Sequence, residues 1–171
     1  MGMPITVDIV DTKATESIFD EVFSYFEYID NTFSTYKDQS EISRINRQEL
    51  KLMDASEDMR TIFALAEDTR LRTDGFFDIQ YDGRYDPSGI VKGWAIFNAA
   101  ELIKQEGFEN FNVEAGGDIQ AYGVNAQGQK WRVGIRNPFN MDEIVKVVAI
   151  SNCGIATSGT YIRGQHIYNP N

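Results

Sequence analysis

The sequence predicts an α+β fold in which helices pack against a mixed or antiparallel sheet. Three observations carry this expectation. A strand-like alternation opens the chain, helix-spaced apolar stripes come next, and after Gly107 several strand-like segments succeed one another with only turn residues between them. The chain has 171 residues, of which 42% are hydrophobic, enough to build a core. That size predicts a single domain over residues 1–171.

Each element has its own warrant. "PITVDIVD" alternates apolar and polar residues and predicts a half-buried strand. Ile18, Val22, Phe26, Ile29 and Phe33 recur at helical spacing between Ser17 and Phe33, giving one apolar stripe. A second helix is expected after "DASE", with Asp54 as its cap and Glu57 completing a capping box; Met59, Ile62, Phe63 and Ala66 form its buried face. A third is expected to begin near Gly93, to bury some of Trp94, Phe97, Ala100 and Ile103, and to end at Gly107. "FNVEAGGDIQAYGV", "KWRVGIRNP" and "EIVKVVAISN" read as strands, with Gly116-Gly117 as one turn.

Composition excludes several functions. With 26 acidic and 16 basic residues the net charge is −10, which argues against a nucleic-acid partner. No apolar run approaches the roughly 18 residues that span a bilayer, so no integral membrane segment is expected. The opening "MGMPITVDIVD" has no basic n-region, apolar h-region or lipobox, so a cytoplasmic location is expected if Met1 is the native start. Cys153 is the one cysteine, which leaves no internal disulfide and no multi-cysteine zinc site; His166 is the one histidine, without a partner at metal-ligand spacing.

The segment "DPSGIVKGWA" gathers Asp86, Gly89, Lys92 and Gly93 where an apolar periodic stretch begins. It reads as a turn that holds an anion, with Lys92 as the local cation, and equally as a plain turn with Pro second and Gly fourth. It is not a Walker A loop. "EAGGD" likewise suits a hairpin turn, Tyr36 could cover a helix end, and Phe76-Phe77-Asp78 could be a loop packed on the core.

In combination and order, "MGMPITVDI", "FSTYKDQSEISRIN", "TDGFFD", "DPSGIVKGWA", "VEAGGDIQAYG", "WRVGIRNP", "IATSGTYIRG" and "HIYNP" resemble the FAD:protein FMN transferase family, also called ApbE. The resemblance runs from Met1 to Pro170, and the short interval between "FFD" and "DPSG" is similar to the family's compact subgroup. It implies an ApbE-like, T-fold-related architecture with FAD between two subdomains. It also implies a magnesium-dependent enzyme that cleaves FAD at its pyrophosphate, passes FMN to a Thr or Ser hydroxyl of a target flavoprotein and releases AMP.

By the same resemblance, Met1, Tyr36, Phe76, Phe77, Asp78, Asp86 and Lys92 contact FAD, the Gly89 carbonyl binds Mg2+, and His166 is the general base near the reacting phosphate. Magnesium prefers oxygen ligands and commonly bridges protein to phosphate, and a histidine suits proton transfer near neutral pH. Three departures stand out. Met3 succeeds Met1-Gly2 where the family has "MGT", Phe76 replaces a smaller residue, and Asn169 stands where an aspartate is common. The family pattern also continues past Asn171 with a strand and an "A-D-x-x-A-T" segment whose Asp and Thr complete the magnesium site. The domain is therefore expected to be C-terminally incomplete relative to the family. Two alternatives stay open: an FAD pyrophosphatase, in which water replaces the acceptor hydroxyl, and a flavin-binding fragment without catalysis.

Overall fold

The computed structural model describes residues 2–159, apart from the side chain of Met141. The order of elements is β1 (Ile5–Ile9), α1 (Glu16–Phe33), α2 (Glu41–Asn46), a 3-10 turn (Leu52–Asp54), α3 (Glu57–Arg72), β2 (Gln80–Tyr81), β3 (Arg84–Tyr85), α4 (Ser88–Gln105), β4 (Phe111–Ala115), β5 (Asp118–Tyr122), β6 (Trp131–Asn137), β7 (Asn140–Ile150) and β8 (Cys153–Ile155). Every strand pair among the described residues is antiparallel. The expected α+β class holds, with the antiparallel of the two sheet alternatives.

The chain divides into two compact units. The body of one is the continuous stretch Phe23–Ala95, and the other joins Met3–Val22 to the chain from Ile96 onward. In the discontinuous unit β1, β4, β5 and β8 form one sheet in that order, and β6 pairs with β7 alone. The alternation of "ITVDI" appears as half-buried Ile5, Val7 and Ile9 against exposed Thr6 and Asp8, while β4 buries Phe111, Val113 and Ala115. Gly116 and Gly117 form the β4–β5 turn with φ of +54° and +87°, a region that side chains with a Cβ seldom enter. Asp11 closes the start of this unit, its carboxylate accepting from the amides of Glu109 and Asn110, each at 2.9 Å.

The continuous unit holds α2, α3, the β2–β3 hairpin and the parts of α1 and α4 that fall within Phe23–Ala95. The stripe read along α1 is buried at every position from Ile18 to Phe33, and α3 buries Met59, Ile62 and Ala66, with Phe63 half-buried. The cap of α3 differs from expectation. Ser56, not Asp54, precedes the helix; its Oγ accepts from the Met59 amide at 3.2 Å and donates to the Glu41 carboxylate at 2.8 Å. Asp54 closes the 3-10 turn instead, because Ser56 is adjacent to the first helical residue and a side chain can reach the N3 amide only from there.

The largest difference is α4, which begins at Ser88 and not near Gly93. Asp86 Oδ1 accepts from the Ser88 amide at 3.0 Å, and the Pro87 carbonyl accepts from the amides of Ile90 and Val91. Asp-Pro is a helix start here, since proline fixes a helical φ and its missing N–H falls where the first turn has no acceptor. The helix ends as expected at Gly107, with φ of +81° and its amide donating to the Lys104 carbonyl. Of its four expected core residues, Ala100 and Ile103 are buried, Trp94 is half-buried and Phe97 is exposed.

Candidate functional site

Six side chains and one backbone group expected to meet ligand, from Tyr36 to Lys92, fall in the continuous unit, although 56 positions separate the ends of that set. Met1 and His166 lie outside the described residues.

The segment from Phe76 to Lys92 is built around a small hairpin. Asp82 and Gly83 both have positive φ, +51° and +72°, the type I′ geometry that suits a two-residue turn between β2 and β3. Below the turn the Asp86 amide donates to the Ile79 carbonyl at 2.7 Å, closing the loop at its base. Asp78 accepts from the Gln80 amide at 2.8 Å, so its carboxylate fixes the entry to β2 just as Asp86 fixes the entry to α4. The Asp78 carboxylate and the Asp86 carboxylate each use Oδ1 for this bond, one of two acceptor oxygens.

Phe77 and Gly89 come together. A ring carbon of Phe77 lies 3.4 Å from where a Cβ at Gly89 would stand, and the Phe77 amide donates to Thr73 Oγ1 at 3.1 Å. Thr73, the C-cap of α3, thus holds Phe77, and Phe77 backs the first turn of α4. Its neighbour Phe76 is 62% exposed. Lys92 is half-buried and lies three residues beyond Gly89, on the same side of α4. Asp86, Gly89 and Lys92 therefore share one helix entrance, where the helix dipole favours negative charge and the Asp86 carboxylate already caps the Ser88 amide.

Tyr36 lies on the loop between α1 and α2. It is 97% exposed, on a loop held by other groups. Ser40 Oγ donates to the Ser34 carbonyl at 2.7 Å and accepts from the Ser43 amide, Arg47 donates to the Asp38 carbonyl at 2.8 Å, and Lys37 pairs with Asp30. The backbone is pinned while the ring faces solvent.

A cavity of about 420 Å3 lies beside the hairpin, between Phe63, Glu67 and Arg70 of α3 and Asp78, Gln80 and Tyr85. Phe63 and Tyr85 meet edge to face at 5.0 Å. Arg70 grips Glu67 with two 2.8 Å bonds, and the guanidinium holds that carboxyl below its ordinary pKa.

The magnesium expectation turns on the donors present. Gly89 offers a carbonyl, but within a helix that carbonyl also faces the amide four residues on. Among the described residues no group of three or more His, Cys, Asp or Glu side chains is disposed to hold a metal ion. These residues do not complete a magnesium site. Asp118 is 8% exposed and accepts from the Thr157 amide at 2.9 Å. Thr73 and Asn46 were not foreseen from sequence. Thr73 holds the amide four residues on, and Asn46 acts through the backbone of a residue 39 positions away, which leaves no local pattern to read.

The ApbE family model matches residues 1–84 and 80–170, and the two stretches meet in the β2–β3 hairpin. The FAD:protein FMN transferase of Salmonella typhimurium is 42% identical over 77 residues, which cover 44% of this chain and 22% of that protein. The FAD:protein FMN transferase of Escherichia coli K12 is 26% identical over 206 residues, covering 89% of this chain and 59% of that one. The chain thus spans only part of these curated relatives. The solved flavin transferase ApbE from Vibrio cholerae superposes with a TM-score of 0.83 at 22% identity, over 100% of this chain and 72% of that one, a likeness of fold. With the family pattern matched along almost its whole length, this chain belongs to the ApbE family.

Proposed function

We propose that the protein transfers FMN from FAD to a Thr or Ser hydroxyl of a target flavoprotein, releasing AMP, and that magnesium is required. The observation that carries this reading is the helix entrance from Asp86 to Lys92, backed by Phe77. It offers the positive end of a helix dipole and a lysine to a pyrophosphate. Exposed Tyr36 and Phe76 offer rings to the flavin or adenine plane. The Salmonella and Escherichia relatives, both FAD:protein FMN transferases, support the same substrate.

In the reaction proposed, the acceptor oxygen forms a bond to the FMN phosphorus while the bond from that phosphorus to the bridging pyrophosphate oxygen breaks. AMP leaves with the bridging oxygen, and the hydroxyl proton passes to a base. His166 is proposed for that base, and Lys92 for offsetting the phosphate charge. Bound magnesium would supply further charge compensation; Gly89 is its one proposed ligand here, and other oxygen donors would come from outside the described residues. Water in place of the hydroxyl would give FMN and AMP instead.

The test is incubation with FAD, magnesium and a candidate acceptor flavoprotein, read by in-gel flavin fluorescence and by AMP release. Covalent FMN on the acceptor with matching AMP, abolished by a chelator, is the expected result. AMP and free FMN without labelled acceptor would establish hydrolysis and overturn transfer. In the same assay His166→Asn should bind FAD nearly as the parent does yet transfer at least about 10²-fold more slowly. Transfer at the parent rate would remove His166 and direct attention to Asp118.

A further inference from the structure

Asn46, the last residue of α2, makes two hydrogen bonds to one residue 39 positions away. Its Nδ2 donates to the Tyr85 carbonyl at 2.9 Å, and its Oδ1 accepts from the Tyr85 amide at 2.8 Å. The pair fixes the amide orientation, since one partner is a donor and the other an acceptor. This is the bonding that a neighbouring strand would supply. Tyr85 stands opposite Gln80 in the β2–β3 ladder, and the flanking bond is Asp86 amide to Ile79 carbonyl. Antiparallel ladders alternate bonded and non-bonded pairs, so the Tyr85 polar groups face away from β2. Asn46 meets them there and serves as a one-residue third strand.

The clamp on Tyr85 bears on its sequence neighbour. Asp86 is the next residue and precedes a proline, so its backbone is confined to extended conformations. With Tyr85 held in strand geometry and Asp86 restricted, few rotations remain between the clamp and the first turn of α4. We infer that Asn46 is a positioning residue: it sets the Asp86–Lys92 helix entrance in register to receive the FAD pyrophosphate. This inference rests on the proposed function.

Two variants test it in the whole chain. Asn46→Leu keeps roughly the side-chain shape and removes both bonds; Asn46→Asp keeps the acceptor and removes the donor, and it stands in if the first fails to fold. Amide exchange at Tyr85 and Asp86 should rise at least about ten-fold in Asn46→Leu, while α3 amides keep their protection. FAD affinity should fall at least about ten-fold, with riboflavin affinity changed far less, because riboflavin carries no phosphates. Three results would overturn the inference: unchanged exchange at Tyr85, faster exchange with unchanged FAD affinity, or equal losses for FAD and riboflavin, which would mark a general structural role. If the parent itself does not bind FAD, the proposed function fails, and the exchange measurement still reports on the clamp separately.

Discussion

Tyr36 is 97% exposed on a loop tied down by Ser40, Arg47 and Lys37. Its removal should leave stability within about 0.5 kcal/mol of the parent. If it stacks on FAD, an aromatic contact on the order of 1 kcal/mol is lost, so Tyr36→Ala should weaken FAD several-fold in calorimetry at an unchanged melting temperature. Unaltered affinity would take Tyr36 out of the site. Lys92 makes the complementary case. Lys92→Met keeps most of the apolar stem of this half-buried side chain and deletes the charge. A charge-assisted contact to phosphate contributes about 1.5–3 kcal/mol, so FAD should bind roughly ten-fold or more weakly while riboflavin is nearly unaffected. Parallel losses for both ligands would show that Lys92 does not read the phosphates.

Among the elements, those with a long periodic stripe are legible in the sequence and those fixed by tertiary contacts are not. α1 is legible because five apolar residues at helical spacing can be buried only together, and β4 and β5 because alternation brackets a Gly-Gly turn. α2 has six residues, too few for a period to emerge. β2 and β3 have two residues each, and of that hairpin only Asp82-Gly83 is a local signal. The start of α4 is misplaced by periodicity because Gly89 and Gly93 interrupt the stripe, whereas Asp86 and Pro87 already make the cap. Of the candidate residues the sequence shows only the types and their order; that the Phe77 ring lies 3.4 Å from where a Cβ at Gly89 would stand has no local signal. The supports beneath the site, Thr73 and Asn46, have none either. The same contrast gives a prediction for α3. Ser56→Ala removes both the cap on Met59 and the bond to Glu41, and should cost about 1–2 kcal/mol by urea denaturation. A loss under about 0.3 kcal/mol would mean that water replaces the cap at little cost.

At the scale of the molecule the two units differ in how much of the chain each must gather. β6 and β7 anchor their ends through Trp131, Val133, Val148 and Ile150, packed with Val10, Ile119, Ala121 and Ile155. Farther along the pair Ile135, Ile144, Val145 and Val147 are exposed, and Val145 has no partner in the register between Lys146 and Ile144. Such a bulge, with charges at Arg136, Asp142, Glu143 and Lys146 around it, is how edge strands are kept from pairing indiscriminately. No helix among the described residues is long and apolar enough to cross a membrane.

The continuity of Phe23–Ala95 also imposes an order in time. As the chain leaves the ribosome, α2 and α3 emerge with the partners of their unit within one unbroken stretch, whereas β1 must wait for β4, its register joining Ile9 to Phe111. Closing a loop of that length costs about 4 kcal/mol of chain entropy before the first rung forms, and contacts of long sequence separation are slow. Pulse-labelled exchange during refolding should therefore protect the amides of α3 before those of β1. Simultaneous protection would mean that the continuous unit cannot hold its shape until its host sheet has closed.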